Sequence, residues 1–237
     1  MELPVSPLER IKPPALQVAL DIDADLETIC DVAEHAYKGG ATIIEAGTPA
    51  IKRHGVDLLI PALRRAAPRA VILADLKTMD AGDLEARIAY RAGADIVSIL
   101  AAGKTIKIWE ALGEAQRRGK AILIDLIDCE NPTSTLESLV KEFDGQEDRV
   151  VFCLHMGISE QTGGRGIHEE RELISEARRR AGNFFLAVAG GIKEGSVGDV
   201  TSLGVDICVV GAAVSQSSNP EAATRRILKA MRVHYRC

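Results

Sequence analysis

Arg91-Ala-Gly-Ala-Asp-Ile-Val97 compresses a helix end, a turn and a strand start into one short phrase. Two other stretches repeat it: Ser202-Leu-Gly-Val-Asp-Ile-Cys-Val209 and Lys38-Gly-Gly-Ala-Thr-Ile-Ile44. In each copy a glycine falls where an amphipathic pattern stops, the place of a left-handed helix cap. A β-branched run follows at once. A recurring helix-to-strand turn is the mark of a repeated βα unit.

Working outward from these copies, apolar runs recur along the whole chain. They are Leu16 to Leu20, Ile43 to Ile44, Val71 to Ala74, Ile96 to Leu100, Ala121 to Leu126, Val150 to Leu154, Phe184 to Ala189 and Ile207 to Val210. Near-continuous apolarity predicts strands buried on both faces, as in a parallel sheet. The intervening segments carry helical stripes, for example Leu26, Ile29, Cys30, Ala33 and Tyr37. Asn131-Pro132 and Asn219-Pro220 place a capping side chain ahead of a first-turn proline. Eight βα units in 237 residues predict a single-domain α/β fold, a (β/α)8 TIM barrel over residues 15–237, with residues 1–14 as an N-terminal arm. An open doubly wound sheet is the alternative, but no G-x-G-x-x-G follows the first run.

Composition narrows the function. Net charge is -5, which leaves no footprint for nucleic acid or an anionic membrane. No apolar run approaches the roughly 20 residues that span a bilayer, and the first residues lack a signal-peptide stretch, so a cytoplasmic protein is expected. Cys30, Cys129, Cys153, Cys208 and Cys237 are odd in number and never spaced C-x-x-C. Their spacing suggests neither disulfides nor a zinc site.

In such barrels the active site lies at the C-terminal ends of the strands. The apolar runs end on Asp21, Glu45, Asp75 with Lys77, Asp125, His155, Gly190-Gly191 and Gly211. Asp75 and Lys77, two apart on a strand, are expected to face the barrel axis together, with Leu76 outward. Asp80 follows in the loop. A lysine between two carboxylates stays cationic and suits an oxyanion; a rim ion pair is the competing reading. Glu45 and Asp75, on neighbouring strands, match the oxygen-rich coordination of magnesium, or else make one salt bridge each. His155 suits proton transfer, or is a satisfied core histidine. The glycines suit phosphate binding, or simple turns. Gly163-Gly164-Arg165-Gly166 reads as a loop able to fold over substrate with Arg165 near an anion.

Taken together, LQVALD, IIEAGTPAIKRHG, ILADLKTMDAGDLE, RAGADIVSIL, LHMGISEQTGGRG, AVAGGI and VVGAAV resemble, in order, the orotidine monophosphate decarboxylase suprafamily. Within it they are most similar to the 3-hexulose-6-phosphate synthase and 3-keto-L-gulonate-6-phosphate decarboxylase branch. The resemblance implies Mg2+ on Glu45 and Asp75, and Lys77 and Asp80 at the reacting oxygens, with Asp80 reaching across a homodimer with shared active sites. It also implies Asp21 and Asp125 at substrate hydroxyls, His155 as the proton carrier, and phosphate at Gly190, Gly191, Gly211 and Ala212. The gulonate decarboxylases carry arginines where this chain has Ile158 and Ala212, which favours the synthase. The implied reaction is a Mg2+-dependent aldol condensation or cleavage joining ribulose 5-phosphate and formaldehyde through an enediolate. A β-keto sugar acid phosphate decarboxylase and a non-catalytic sugar phosphate sensor are the rivals.

Overall fold

The computed structural model describes residues 5–161 and 165–234. Eight parallel strands close into a barrel in chain order: β1 (Ala15–Ala19), β2 (Ile43–Ala46), β3 (Val71–Thr78), β4 (Ile96–Leu100), β5 (Ala121–Asp125), β6 (Val150–His155), β7 (Phe185–Ala189) and β8 (Ile207–Val210). β8 returns to β1, pairing Val210 with Val18. The helices between them are α1 (Leu26–Gly39), α2 (Thr48–His54), α3 (Val56–Ala66), α4 (Gly82–Ala92), α5 (Ile106–Arg118), α6 (Pro132–Glu142), α7 (Arg171–Ala181), α8 (Glu194–Thr201), α9 (Ala212–Ser215) and α10 (Pro220–His234). The fold is a single (β/α)8 TIM barrel. The expected caps are present: Gly40 and Gly93 close α1 and α4 with φ of 107° and 110°, and Asn131 accepts from the Ser134 amide at 3.1 Å.

Strand alternation sorts the core into two shells. Leu16, Val18, Ile44, Ile72, Val97 and Ile122 face outward against the helices. Ala15, Ile43, Val71, Leu73, Ile96, Leu123, Val151 and Ile207 face inward and fill the lower barrel. Residues 5–14 join that inner shell: Ser6 caps the 3₁₀ turn Pro7–Arg10, and Leu8 and Ile11 are buried within it. Arg10 pairs with Asp95 at 2.9 Å, beside Arg64 and Lys120. Burial opposes ionisation of Asp95, but Lys120, the Ile72 amide and Arg64 outweigh it and hold its carboxyl down at about 2.

The third run extends beyond the expected Ala74 as far as Thr78, and it is not regular. Leu73 and Ala74 pair with Ile96 and Val97, but the next partner of Ile99 is Thr78. β3 therefore bulges between these points, and Lys77 sits there with φ +48°. Bulges re-aim side chains at barrel rims. Among the described residues, no helix is long and apolar enough to cross a membrane. Cys30, Cys129, Cys153 and Cys208 are free thiols; Cys237 lies outside the described residues.

Candidate active site

The upper ends of the strands open into a cavity of about 880 Å3. Asp21, Glu45, Asp75, Lys77, Asp125, His155, Gly190, Gly191, Gly211 and Ala212 all line it.

Inward positions on β2 and β3, and the second residue past β1, bring three carboxylates together. Asp21, Glu45 and Asp75 each offer an oxygen, and these lie within 4.8 Å of one another. Burial, then the charges of Asp75 and Asp21, push the Glu45 carboxyl well above its ordinary range. Burial and Asp75 also raise Asp21. Neutral neighbours hold the group in place. Gln17 Nε2 donates to Glu45 Oε2 at 2.6 Å. Thr48 Oγ1 lies 2.8 Å from Asp75 Oδ2 and Ser98 Oγ donates to Asp75 Oδ1 at 2.6 Å. Three crowded carboxylates, two of them resisting ionisation, suit a hard divalent cation, which takes oxygen ligands and supplies the missing positive charge.

Lys77 stands beside this group. Its Nζ is 2.8 Å from Asp75 Oδ2 and 3.3 Å from Asp125 Oδ2. Burial disfavours its charge, but Asp75 and Asp125 outweigh burial and raise its pKa. Asp75 and Lys77 do meet, with Leu76 packed outward, yet not by simple alternation. The bulge and the left-handed backbone bring them together, and Ser98 Oγ accepts from the Lys77 amide at 2.9 Å.

Asp125 and His155 form a second unit. His155 Nδ1 is 3.0 Å from Asp125 Oδ2. Burial would raise the Asp125 carboxyl, but His155, Lys77 and the Ile127 amide hold it below its usual range. With Nδ1 engaged, Nε2 is the ring nitrogen left to exchange a proton.

The β7 and β8 ends contribute backbone. Gly190 has φ +127°, and a Cβ there would lie 2.7 Å from the Met156 carbonyl oxygen. Gly191 has φ +65° and would meet Gly166 Cα at 3.1 Å. Lys193 and Ser215 line the cavity on the same side.

One expected residue is not brought here. Arg165 does not line the cavity; its guanidinium pairs with Glu170 and borders a separate hollow. The carboxylate five residues ahead takes the charge that the loop reading assigned to an anion. Gly163 and Gly164 lie outside the described residues. Asp80, expected to reach a partner's site, is exposed, accepts from the Ala81 amide at 2.8 Å and does not line this cavity. Sequence reasoning also passed over Gln17, Thr48 and Ser98. Gln17 and Ser98 were visible as polar residues interrupting apolar strands; Thr48 was not.

Residues 14–227 match the Orotidine 5'-phosphate decarboxylase / HUMPS family. The 3-hexulose-6-phosphate synthase of Mycobacterium gastri is 34% identical over 223 residues, covering 91% of this chain and 99% of that protein. The bifunctional enzyme Fae/Hps of Methanoregula boonei is 35% identical over 217 residues, covering 91% of this chain and 52% of that protein. The chain thus spans about half the length of such bifunctional relatives. The crystal structure of 3-hexulose-6-phosphate synthase from Salmonella typhimurium superposes with a TM-score of 0.82 at 29% identity, covering 93% of this chain and all of that one. With the match running over nearly its whole length, this chain belongs to the Orotidine 5'-phosphate decarboxylase / HUMPS family.

Proposed function

We propose that the protein is a cytoplasmic carbon–carbon lyase of the 3-hexulose-6-phosphate synthase type, joining formaldehyde to ribulose 5-phosphate or reversing that step. One observation carries this reading: a relative bearing that name aligns end to end at 34% identity. The joined clusters Asp21–Glu45–Asp75 and Lys77–Asp125–His155 support it. Asp21, Glu45 and Asp75 would hold Mg2+, which when bound supplies Lewis-acid stabilisation to the sugar oxygens.

The chain's own groups supply the rest. Asp125 holds His155 in the tautomer whose Nε2 takes the C1 proton of the sugar. The Lys77 ammonium stands where negative charge grows on the enediolate oxygens. Amides near Gly190, Gly191, Gly211 and Ala212, with Lys193, grip the phosphate and fix the reacting end. Ile158 and Ala212 line the cavity where the resemblance puts arginines in the decarboxylases; aliphatic groups there offer nothing to a carboxylate.

A homodimer accounts for Asp80. Met79, Leu84, Ile88, Ile106 and Trp109 are exposed apolar residues around it, on and beside α4 and α5. Covering them with a second copy would carry Asp80 toward the partner's cavity. Sedimentation of Trp109→Arg as a monomer, with lost turnover, is the expected result.

The decisive assay mixes protein, ribulose 5-phosphate, formaldehyde and Mg2+. Hexulose phosphate formation supports the proposal. Carbon dioxide release from 3-keto-L-gulonate 6-phosphate without formaldehyde use would transfer it to the decarboxylase. Tight sugar phosphate binding with neither reaction, unaffected by Lys77→Ala, would make it a sensor.

A further inference from the structure

Cys153 belongs to no cysteine motif along the chain, yet the barrel seats it inside the site. It occupies an inward position of β6, two residues before His155, and pairs in register with Asp125 of β5. It is buried at 3% exposure and still lines the cavity. Asp125, Cys153 and His155 each present one ligand atom, and these three atoms lie within 4.8 Å of one another. We propose that Asp125, Cys153 and His155 form a second metal site, for a thiophilic divalent cation of the zinc class, separate from the all-carboxylate site of Asp21, Glu45 and Asp75.

The donor chemistry separates the two sites. Magnesium keeps to oxygen ligands. One sulfur, one imidazole nitrogen and one carboxylate oxygen suit zinc, at bond lengths of about 2.0–2.3 Å. Tetrahedral ligand atoms then sit about 3.5 Å apart, so a pair at the outer bound closes by roughly an ångström and no pair by much more. His155 Nδ1 and Asp125 Oδ2, 3.0 Å apart, open slightly to admit the cation, and the imidazole proton moves from Nδ1 to Nε2 as Nδ1 coordinates. Burial, then the Asp125 charge, push the Cys153 thiol well above its ordinary range; the coordinating cation offsets both and sends the thiol proton to solvent. Three protein ligands leave the fourth position open, the number found in catalytic rather than structural zinc sites.

Occupation would silence the reaction machinery. Lys77 Nζ stands between the two clusters, 2.8 Å from Asp75 Oδ2 and 3.3 Å from Asp125 Oδ2. A cation on Asp125 takes that carboxylate from Lys77, and the proton displaced from Nδ1 occupies the Nε2 lone pair that the reaction uses. The site therefore acts as an inhibitory port for thiophilic metal.

Cobalt(II) is the probe, because its thiolate charge-transfer band reports sulfur ligation whatever reaction the protein performs. Equimolar Co2+ is added to the full-length, metal-stripped protein in excess Mg2+. The band is expected in the wild type and in Cys129→Ser, and is lost in Cys153→Ser and Cys153→Ala. If both Cys153 variants fail to melt cooperatively, His155→Ala removes a different ligand and must shift or abolish the same band. No band in the wild type, a band that survives in Cys153→Ala, an unaltered band in His155→Ala, or complete displacement of cobalt by Mg2+ each overturns the proposal.

Discussion

Glu45→Gln separates the stability of the candidate site from its function. Glu45 is buried at 6% exposure with Asp75 and Asp21 beside it. At the 4.8 Å outer bound and an effective dielectric of about 20, one pair of unit charges repels by roughly 3 kcal/mol. Gln17 and Lys77 relieve part of this, so removing the charge is expected to stabilise the metal-free protein by about 1–2 kcal/mol, or roughly 3–6 °C in melting temperature. Glutamine keeps an oxygen to accept from Gln17 and gains an amide that can donate to Asp75. The pH dependence has a definite sign. A carboxyl whose folded pKa is raised costs stability above its unfolded value of 4.5, so the advantage of the variant is present at neutral pH and vanishes as pH falls below that value. Divalent metal reverses the order. A ligand at a hundred times its Kd stabilises by about 2.7 kcal/mol, which wild type gains and the variant largely loses. Differential scanning fluorimetry with and without Mg2+ should show the two melting curves exchanging places. A variant no more stable than wild type without metal, or equally stabilised by Mg2+, would refute the reasoning.

The other expectations are shorter. Lys77→Ala should lower kcat by about 10²–10³, the usual cost of one oxyanion donor, with a smaller change in sugar phosphate affinity measured by calorimetry. Asp95→Asn, at the opposite end of the barrel, should leave turnover unchanged. It should lose about 2 kcal/mol in urea unfolding at neutral pH, since the carboxyl lies at about 2 against an ordinary 3.8. That contribution is complete above 3.8 and disappears as pH falls through 2, so wild type and variant should converge there. Gly190→Ala should raise the KM for sugar phosphate and lower stability by about 1–3 kcal/mol, because its Cβ meets the Met156 carbonyl at φ +127°; an unchanged KM would remove Gly190 from the phosphate site.

Repetition made the barrel legible. Glycine caps and β-branched runs recur because every βα unit solves the same turn, and period-two alternation then settles which residues face inward. Glu45, Asp125 and His155 reach the cavity by that rule alone. Asp75 and Lys77 reach each other by a different route. A register shift and one left-handed residue do what alternation was expected to do, and nothing in Asp-Leu-Lys announces a bulge. Gln17 and Ser98 were readable, because a polar side chain inside a buried strand requires a partner. Thr48 was not, since it starts α2 yet serves a carboxylate on β3, a contact set only by closure of the sheet. Arg165 shows the reverse difficulty: a cation beside glycines looks like an anion clamp until its local partner Glu170 is in place.

The buried floor formed by Leu8, Ile11 and the lower inward residues has a consequence for traffic. Among the described residues the barrel is a cup, not a tube, and the mouth at the upper strand ends serves both arrival and departure. Molecules in such a vessel obey the rule of a stack: whatever lies deepest enters first and leaves last.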